Sequence, residues 1–202
     1  MNDYFDQRAR NWDGSPTRLA QTSDIFAALE RQVALQPDWT ALDYGSGSGL
    51  LTLALARRVA HVWAVDLSVG MMEVLMEKAR AEGIANITTL VADFTREPLP
   101  DERFDLVTSA LALHHIDDPP ALLRGFRSLL QPGGMLAVAD LDTEDGSFHG
   151  DNHHVRHFGF DRDELAARLT GAGFDGIKIT TAAHRERGER TYTIFLATAR
   201  AV

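Results

Sequence analysis

The feature that most constrains this chain is a glycine cluster in a fixed setting. Asp43-Tyr44-Gly45-Ser46-Gly47-Ser48-Gly49 stands between an extended segment, Thr40–Asp43, and a helical one that starts at Leu50. The next extended segment, His61–Asp66 (HVWAVD), ends on an acidic residue. Glycines let a chain turn sharply and let a ligand approach where a Cβ would stand. In open α/β sheets ligands bind outside the carboxyl ends of the strands, and the first turn carries the cofactor. An acidic residue closing the second strand is placed to accept ribose hydroxyls. A dinucleotide needs G-x-G-x-x-G, with its phosphates on the helix N-terminus. Counted from Gly45 the loop reads G-S-G-S-G-L, and from Gly47 G-S-G-L-L-T, so neither register fits. Asp43 would repel a pyrophosphate but suits an ammonium or a sulfonium. No Gly-Lys-Ser/Thr follows, which argues against a P-loop. These residues favour a nucleoside carrying cationic groups over one carrying phosphates.

Helical and extended periods alternate on both sides of this loop. A helix is predicted from Thr17, with Leu19, Phe26, Leu29 and Val33 on one face and Pro37 beyond its last turn. Helices follow at Leu50–Ala60 and at Ser68–Glu82, the latter with Ser68 as N-cap and Gly83 as its stop. Asn86–Ala92 and Phe104–Ala110 read as strands. Asp118-Pro119 opens a helix to Leu130, and Gln131-Pro-Gly-Gly turns into the strand Met135–Leu141. Asp161 and Glu164 start a helix that ends at Thr170. Gly176–Thr181 and Thr191–Ala197 are strands joined by a polar, charge-alternating stretch (HRERGER) too short for a parallel crossover. The prediction is a doubly wound, Rossmann-like α/β sheet of seven strands, mostly parallel with an antiparallel C-terminal hairpin, over residues 39–202. Residues 1–38 form an N-terminal helical arm or lid.

Composition narrows the function. The chain has 202 residues, with 20 Lys+Arg against 29 Asp+Glu, a net charge of −9. That balance argues against a general binder of nucleic-acid phosphates. With no cysteine, disulfides, thiolate catalysis and cysteine-built zinc sites are excluded. No apolar run approaches the ~20 residues of a membrane span, and the first residues are too polar for a signal peptide. A cytoplasmic location is expected, and assembly as a homodimer stays open.

The motifs resemble the fingerprint of class I S-adenosylmethionine-dependent methyltransferases of the small-molecule type, including the quinone-biosynthesis group. The resemblance rests on DYGSGSG followed by VDLS, Asp66-Leu-Ser-x-x-Met71, Ala92-Asp93-Phe94, Ala110-Leu-Ala-Leu-His-His and Leu130-Gln-Pro-Gly-Gly. It implies that Gly45, Gly47 and Gly49 line the methionine part of S-adenosyl-L-methionine, with Asp43 near its ammonium group. It further implies Asp66 on the ribose hydroxyls, Leu67 and Met71 on the adenine, Asp93 at the adenine amino group with Phe94 beside the ring, and Ala110 and Leu111 near the sulfonium. Met71 and Phe94 are equally readable as core residues, and Asp93 as the start of a turn. The lead-in Tyr4-Phe5-x-x-Arg8-Ala9-x-x-Trp12-Asp13 resembles a segment that closes over cofactor and substrate in such enzymes. Tyr4 or Trp12 would then offer a π-face to the sulfonium.

His114 and His115, directly after the fourth strand, lie where a methyl acceptor would sit, and one of them is a candidate general base. A second cluster runs from Asp140 to His157; His153 and His157 would share a face if this segment were helical, but its glycines suggest loop, and no metal is expected. From Ser128 to Val155 there is no Lys or Arg, so an acidic rim is expected, one that favours a neutral or cationic small-molecule acceptor. No Asn-Pro-Pro-Tyr-type sequence follows the fourth strand, which disfavours methylation of base or amide nitrogen and leaves O and C centres. The rival readings are an NAD(P)-dependent oxidoreductase and a non-catalytic S-adenosylmethionine-binding protein.

Overall fold

A computed structural model describes residues 2–202, with side chains described from Tyr4 onward. Met1 of the predicted arm lies outside the described residues. The elements are α1 (Asn2–Arg8), α2 (Pro16–Gln32), β1 (Thr40–Tyr44), α3 (Leu50–Ala56), β2 (His61–Asp66), α4 (Val69–Ala81), β3 (Ile87–Val91), β4 (Phe104–Ala110), α5 (Pro119–Leu129), β5 (Leu130–Leu141), α6 (Arg162–Gly171), β6 (Phe174–Arg187) and β7 (Arg190–Ala201). Short 3-10 turns at Ala9–Gly14 and Leu113–His115 connect them.

Local chemistry sets the helix starts. The hydroxyl of Ser68 accepts the Met71 N–H, Asp118 accepts that of Ala121, and Asp161 accepts those of Asp163 and Glu164. The strands order as β3-β2-β1-β4-β5-β7-β6. β1 to β5 run parallel, and β7 pairs antiparallel with both β5 and β6. The order reverses between β1 and β4, and that switch point opens the crevice where such sheets bind ligands. Alternating strand residues feed two cores. On β7, Ile194 and Leu196 pack with α2, α3 and α4, while Phe195 and Ala197 pack with α5 and α6. Among the described residues, no helix is long and apolar enough to cross a membrane.

Four details depart from the sequence expectation. Helix α3 stops at Ala56, not Ala60. On α2, Leu19 is 44% exposed and the buried stripe runs instead through Gln21, Ile25, Ala28 and Leu29. This face meets β6 as well as α3, so tertiary contact, not local apolarity, selects it. The Gln131–Gly134 turn lies inside β5 as an irregularity, where register passes from Phe104↔Leu130 to Leu106↔Met135. Most of HRERGER is strand. β6 continues to Arg187, which pairs with Arg190 across a turn at Gly188 (φ 59°) and Glu189. Its charges alternate because the hairpin projects beyond the other strands, leaving one face to solvent.

Candidate active site

The glycine loop crosses the carboxyl end of β1, pinned by the Gly45 N–H donating to Val65 O at 2.8 Å. Gly45 has φ 68°, and a Cβ there would stand 2.4 Å from the Ala112 Cβ, so the loops after β1 and β4 are pressed together. Gly49, at φ 85°, would place a Cβ 2.1 Å from Leu75 of α4. Leu111 is the one described non-glycine residue at positive φ, 55°. This left-handed backbone costs a leucine about 1–2 kcal/mol, and its N–H is held by Ala139 O at 2.8 Å.

The loops surround a cavity of about 310 Å³. Asp43 is buried at its base, its two oxygens accepting the Thr52 and Thr108 hydroxyls at 2.6 and 2.9 Å. Burial pushes its pKa up to about 6 against the lowering effect of those hydroxyls, and the Asp66 charge adds to the rise. Asp66 accepts the N–H groups of Gly47 and Ser68 at 2.8 and 2.9 Å, which fixes its carboxylate at the cavity wall. Burial raises its pKa too, against the hydrogen bonds from Ser68 and Gly47.

Of the residues singled out from sequence, Tyr4, Trp12, Asp43, Gly45, Gly47, Asp66, Leu67, Met71, Ala110, Leu111, His114 and His115 all line this cavity. Three stand behind its surface. Gly49 seats α3 on α4. The Asp93 carboxylate accepts the backbone and hydroxyl protons of Thr95, closing its own turn, and Phe94 packs 5.3 Å from Tyr44.

The arm is tied down by Asp6, which no local pattern announced, and by Asp13 of the lead-in motif. Asp6 accepts from the Ser68 hydroxyl and, at 2.9 Å, from the Gly70 N–H, capping α4 from outside. Gly70 permits this, since a Cβ there would lie 3.2 Å from the Asp6 backbone. Asp13 accepts from Ser48 at 2.5 Å and Lys78 at 2.6 Å. These anchors bring Phe5 to 5.6 Å from the rings of both Trp12 and His115, and Tyr4 to 4.5 Å from His154.

The histidines have distinct environments. His114 is 2% exposed; its Nδ1–H donates to Asp140 at 2.7 Å and its backbone N–H to the other Asp140 oxygen at 3.1 Å. That leaves Nε2 buried and, among the described residues, without a partner. Burial works to raise the Asp140 pKa, but the His114 charge and hydrogen bonds outweigh it and hold the carboxyl below its usual range. His115 Nδ1–H donates to His154 O at 2.7 Å, and burial beside His114 pulls its pKa down to about 4. His149, 4.9 Å from His114, has another buried Nε2 without a partner among the described residues.

The acidic segment after β5 departs from its expected place. Asp142 is bound by both nitrogens of an Arg162 fork at 2.7 Å, Asp145 pairs with Arg190, and Glu144 accepts backbone protons from Gly146 and Phe148. Of the acidic side chains of that segment only Asp151 lines the cavity, whereas Arg18, Arg185 and Arg187 do so from α2 and β6. The stretch around His153 and His157 is not helical, and His157 Nε2 donates to Ile116 O, so the metal-ligand spacing has no structural counterpart. Asp140 and His149 carried a weak sequence signal as part of the acidic, histidine-rich run. Nothing local marked Gln21, Arg18 or the hairpin arginines.

The sheet order with a reversed β7, a glycine cradle at the switch point and a cavity floored by two carboxylates define a nucleoside-binding α/β domain. The comparisons agree: the family described as "Methyltransferase domain" matches residues 42–138. An uncharacterised methyltransferase of Geobacillus kaustophilus is 32% identical over 149 residues, covering 71% of this chain and 67% of that protein. A demethylmenaquinone methyltransferase of Clavibacter sepedonicus is 33% identical over 69% of this chain and 57% of its own length. The crystal structure of an S-adenosylmethionine-dependent methyltransferase from Aquifex aeolicus superposes with a TM-score of 0.72, covering 98% of both chains at 24% identity. The chain belongs to the S-adenosylmethionine-dependent methyltransferases. It spans about half the length of the curated relatives it matches. The oxidoreductase alternative gives way to this family.

The donor set fits that cofactor. Two carboxylates face the cavity from the glycine-loop side, which suits an ammonium group and ribose hydroxyls and would repel a pyrophosphate.

Proposed function

We propose that this chain transfers a methyl group from S-adenosylmethionine to a small-molecule acceptor at an O or C centre, with His114 as general base. When bound, S-adenosylmethionine supplies a methyl group activated by its sulfonium. Asp43 would hold the ammonium group and Asp66 the ribose hydroxyls, with Leu67 and Met71 against the adenine. Tyr4, Phe5 and Trp12 act as a lid that excludes water and aligns acceptor with donor, the main requirement of an in-line displacement.

The observation that carries the reading is the His114–Asp140 pair. A carboxylate only accepts, so Nδ1 of His114 carries a proton, and in the neutral ring Nε2 then presents a lone pair. When Nε2 takes a proton from the acceptor, Asp140 stabilises the imidazolium, as a buried carboxylate does for the histidine of a catalytic triad. His115 lacks such support: with a pKa near 4 it is a weak base at neutral pH, and its place against Phe5 suits a pocket wall. A base of this kind serves a hydroxyl or an acidic C–H, which must lose its proton for transfer to occur.

The test is His114→Gln on the full chain, assayed against hydroxyl and activated-carbon acceptors with cofactor affinity measured separately by calorimetry. General-base loss should lower kcat by at least ~100-fold, with cofactor Kd changed by less than about threefold. Turnover within tenfold of the parent would refute the role. Tight cofactor binding with no turnover of any acceptor by the parent chain would instead favour the non-catalytic alternative.

A further inference from the structure

The cavity is also lined from α2 and from the overhanging part of β6. Ala183, Arg185 and Arg187 alternate along β6, so they share one face, and Ala183 packs in the same core as Ile25 of α2. Arg18, Gln21 and Ile25 recur at helical spacing along α2 and line the cavity. Three guanidiniums therefore converge on one cavity. None of them forms an ion pair with a carboxylate among the described residues, whereas Arg162 and Arg190 close by each do.

Each guanidinium is hydrogen-bonded to a neutral group rather than to a carboxylate. Arg18 stacks on Trp12 with its Cζ 4.0 Å from the ring and donates to Trp12 O at 2.8 Å. Arg187 donates to Phe148 O, and the Phe148 ring lies 5.3 and 5.4 Å from the Cζ atoms of Arg185 and Arg187. Arg185 donates to Gln21 Oε1 at 2.9 Å. An arginine offers no acceptor, so that bond turns the Gln21 amide nitrogen the other way. Gln21 is 4% exposed, and its Nε2, like the Nε of Arg185, is buried without a partner among the described residues.

Leaving two buried donors unpaired and three like charges together is costly unless a ligand supplies what is missing. Burial lowers the pKa of Arg18 against the opposing effect of the Tyr4 and Asp13 charges, with repulsion from Arg187 adding to the fall, and burial with repulsion from Arg187 and Arg18 lowers that of Arg185. The missing chemistry is a negatively charged group with several acceptor oxygens, the partner that guanidinium forks match.

We propose that this part of the cavity is an oxyanion subsite that binds a carboxylate or phosphate of the methyl acceptor through Arg18, Arg185, Arg187 and Gln21 Nε2. The proposal rests on the methyltransferase reading of the cavity and reverses the expectation of a neutral or cationic acceptor. Such a group would tether the acceptor at one end and direct its other end toward His114.

The test uses the full chain. Sodium phosphate and sodium malonate are titrated by calorimetry against a sodium chloride control of equal ionic strength, on the parent and on Arg185→Met and Arg187→Met. Saturable binding of either anion, weakened at least tenfold in each folded variant, supports the subsite, and the tighter anion identifies its chemistry. Arg187 lies at the exposed hairpin end, so its variant keeps the proposal testable if Arg185→Met fails to fold. Anions that bind no better than chloride, or equally to parent and variants, overturn it. In a second arm, carboxylic-acid acceptors are compared with their methyl esters; preference for the acid supports the subsite, and equal turnover overturns it. Cofactor affinity is measured in parallel: its absence would sink the methyltransferase reading, whereas cofactor binding without anion binding sinks this proposal alone.

Discussion

Asp43 holds a charge where the fold would be better without one, and Asp43→Asn measures that conflict. In the folded chain its pKa is pushed up from the ordinary 3.8 to about 6. Below pH 3.8 both folded and unfolded chains keep the proton, so there is no penalty. As pH rises from about 4 to 6 the unfolded chain releases its proton first, and stability falls by about 3 kcal/mol, a loss that persists at pH 7. Asparagine is nearly isosteric, its carbonyl can accept from Thr108, and its amide can donate to the Thr52 hydroxyl, so the buried pairing survives. At pH 7 the cofactor-free variant should therefore be more stable by about 3 kcal/mol, which raises Tm by roughly 6–12 °C for a chain of this size. Near pH 4 that advantage should vanish. Asp140, lowered, titrates in both proteins and cancels in the difference, whereas repulsion from Asp66 is part of what raises Asp43 and so belongs to the effect measured. Scanning calorimetry of parent and variant from pH 4 to 8 reads the effect directly. The same substitution removes the carboxylate assigned to the ammonium group, so cofactor affinity should fall at least tenfold. A variant less stable than the parent at pH 7, or a difference that does not change with pH, would refute the reasoning.

Two further substitutions test the cradle. Asp66→Ala strips the ribose of its acceptor and frees the Gly47 and Ser68 N–H groups, so calorimetry should show S-adenosylmethionine binding weakened more than tenfold; unchanged affinity would remove Asp66 from the site. Gly49→Ala forces a Cβ into Leu75 at φ 85°, which should cost about 2–4 kcal/mol in chemical denaturation; a midpoint equal to that of the parent would mean that α3 and α4 separate freely there.

The site was readable from sequence where its residues depend on near neighbours. The glycine loop, Asp66 and the Ser68 cap belong to one strand–turn–helix–strand passage, so turn chemistry and period place them together. β2 and β4 likewise have the predicted bounds. Residues whose position depends on distant contacts were not readable. Gln21 is buried because α2 lies on β6, a partner far along the chain, and Leu19 is exposed for the same reason. HRERGER reads as a solvated connection, since alternating charge marks a solvent face in a strand and a loop alike. Only the ladder that pairs His184–Arg187 with Arg190–Thr193 makes it strand.

The sign of charge at the cavity shows why a run of like residues misleads. Asp142 and Asp145 follow β5 and belong by sequence to its acidic rim, yet Arg162 and Arg190 neutralise them from α6 and β7. The arginines left without such partners lie on α2 and β6, whose sequences carry no sign of a shared site. Local propensity and charge pattern agree with the fold nearly everywhere else, and departures of this kind are expected where binding opposes stability. Asp43 and the three guanidiniums are both destabilising without a ligand, and they are opposite in sign. A molecule pair with a cation at the glycine loop and an anion beneath the hairpin would relieve both at once, and in the proposed reading that polarity would orient the acceptor's reacting atom toward the space between His114 and the lid.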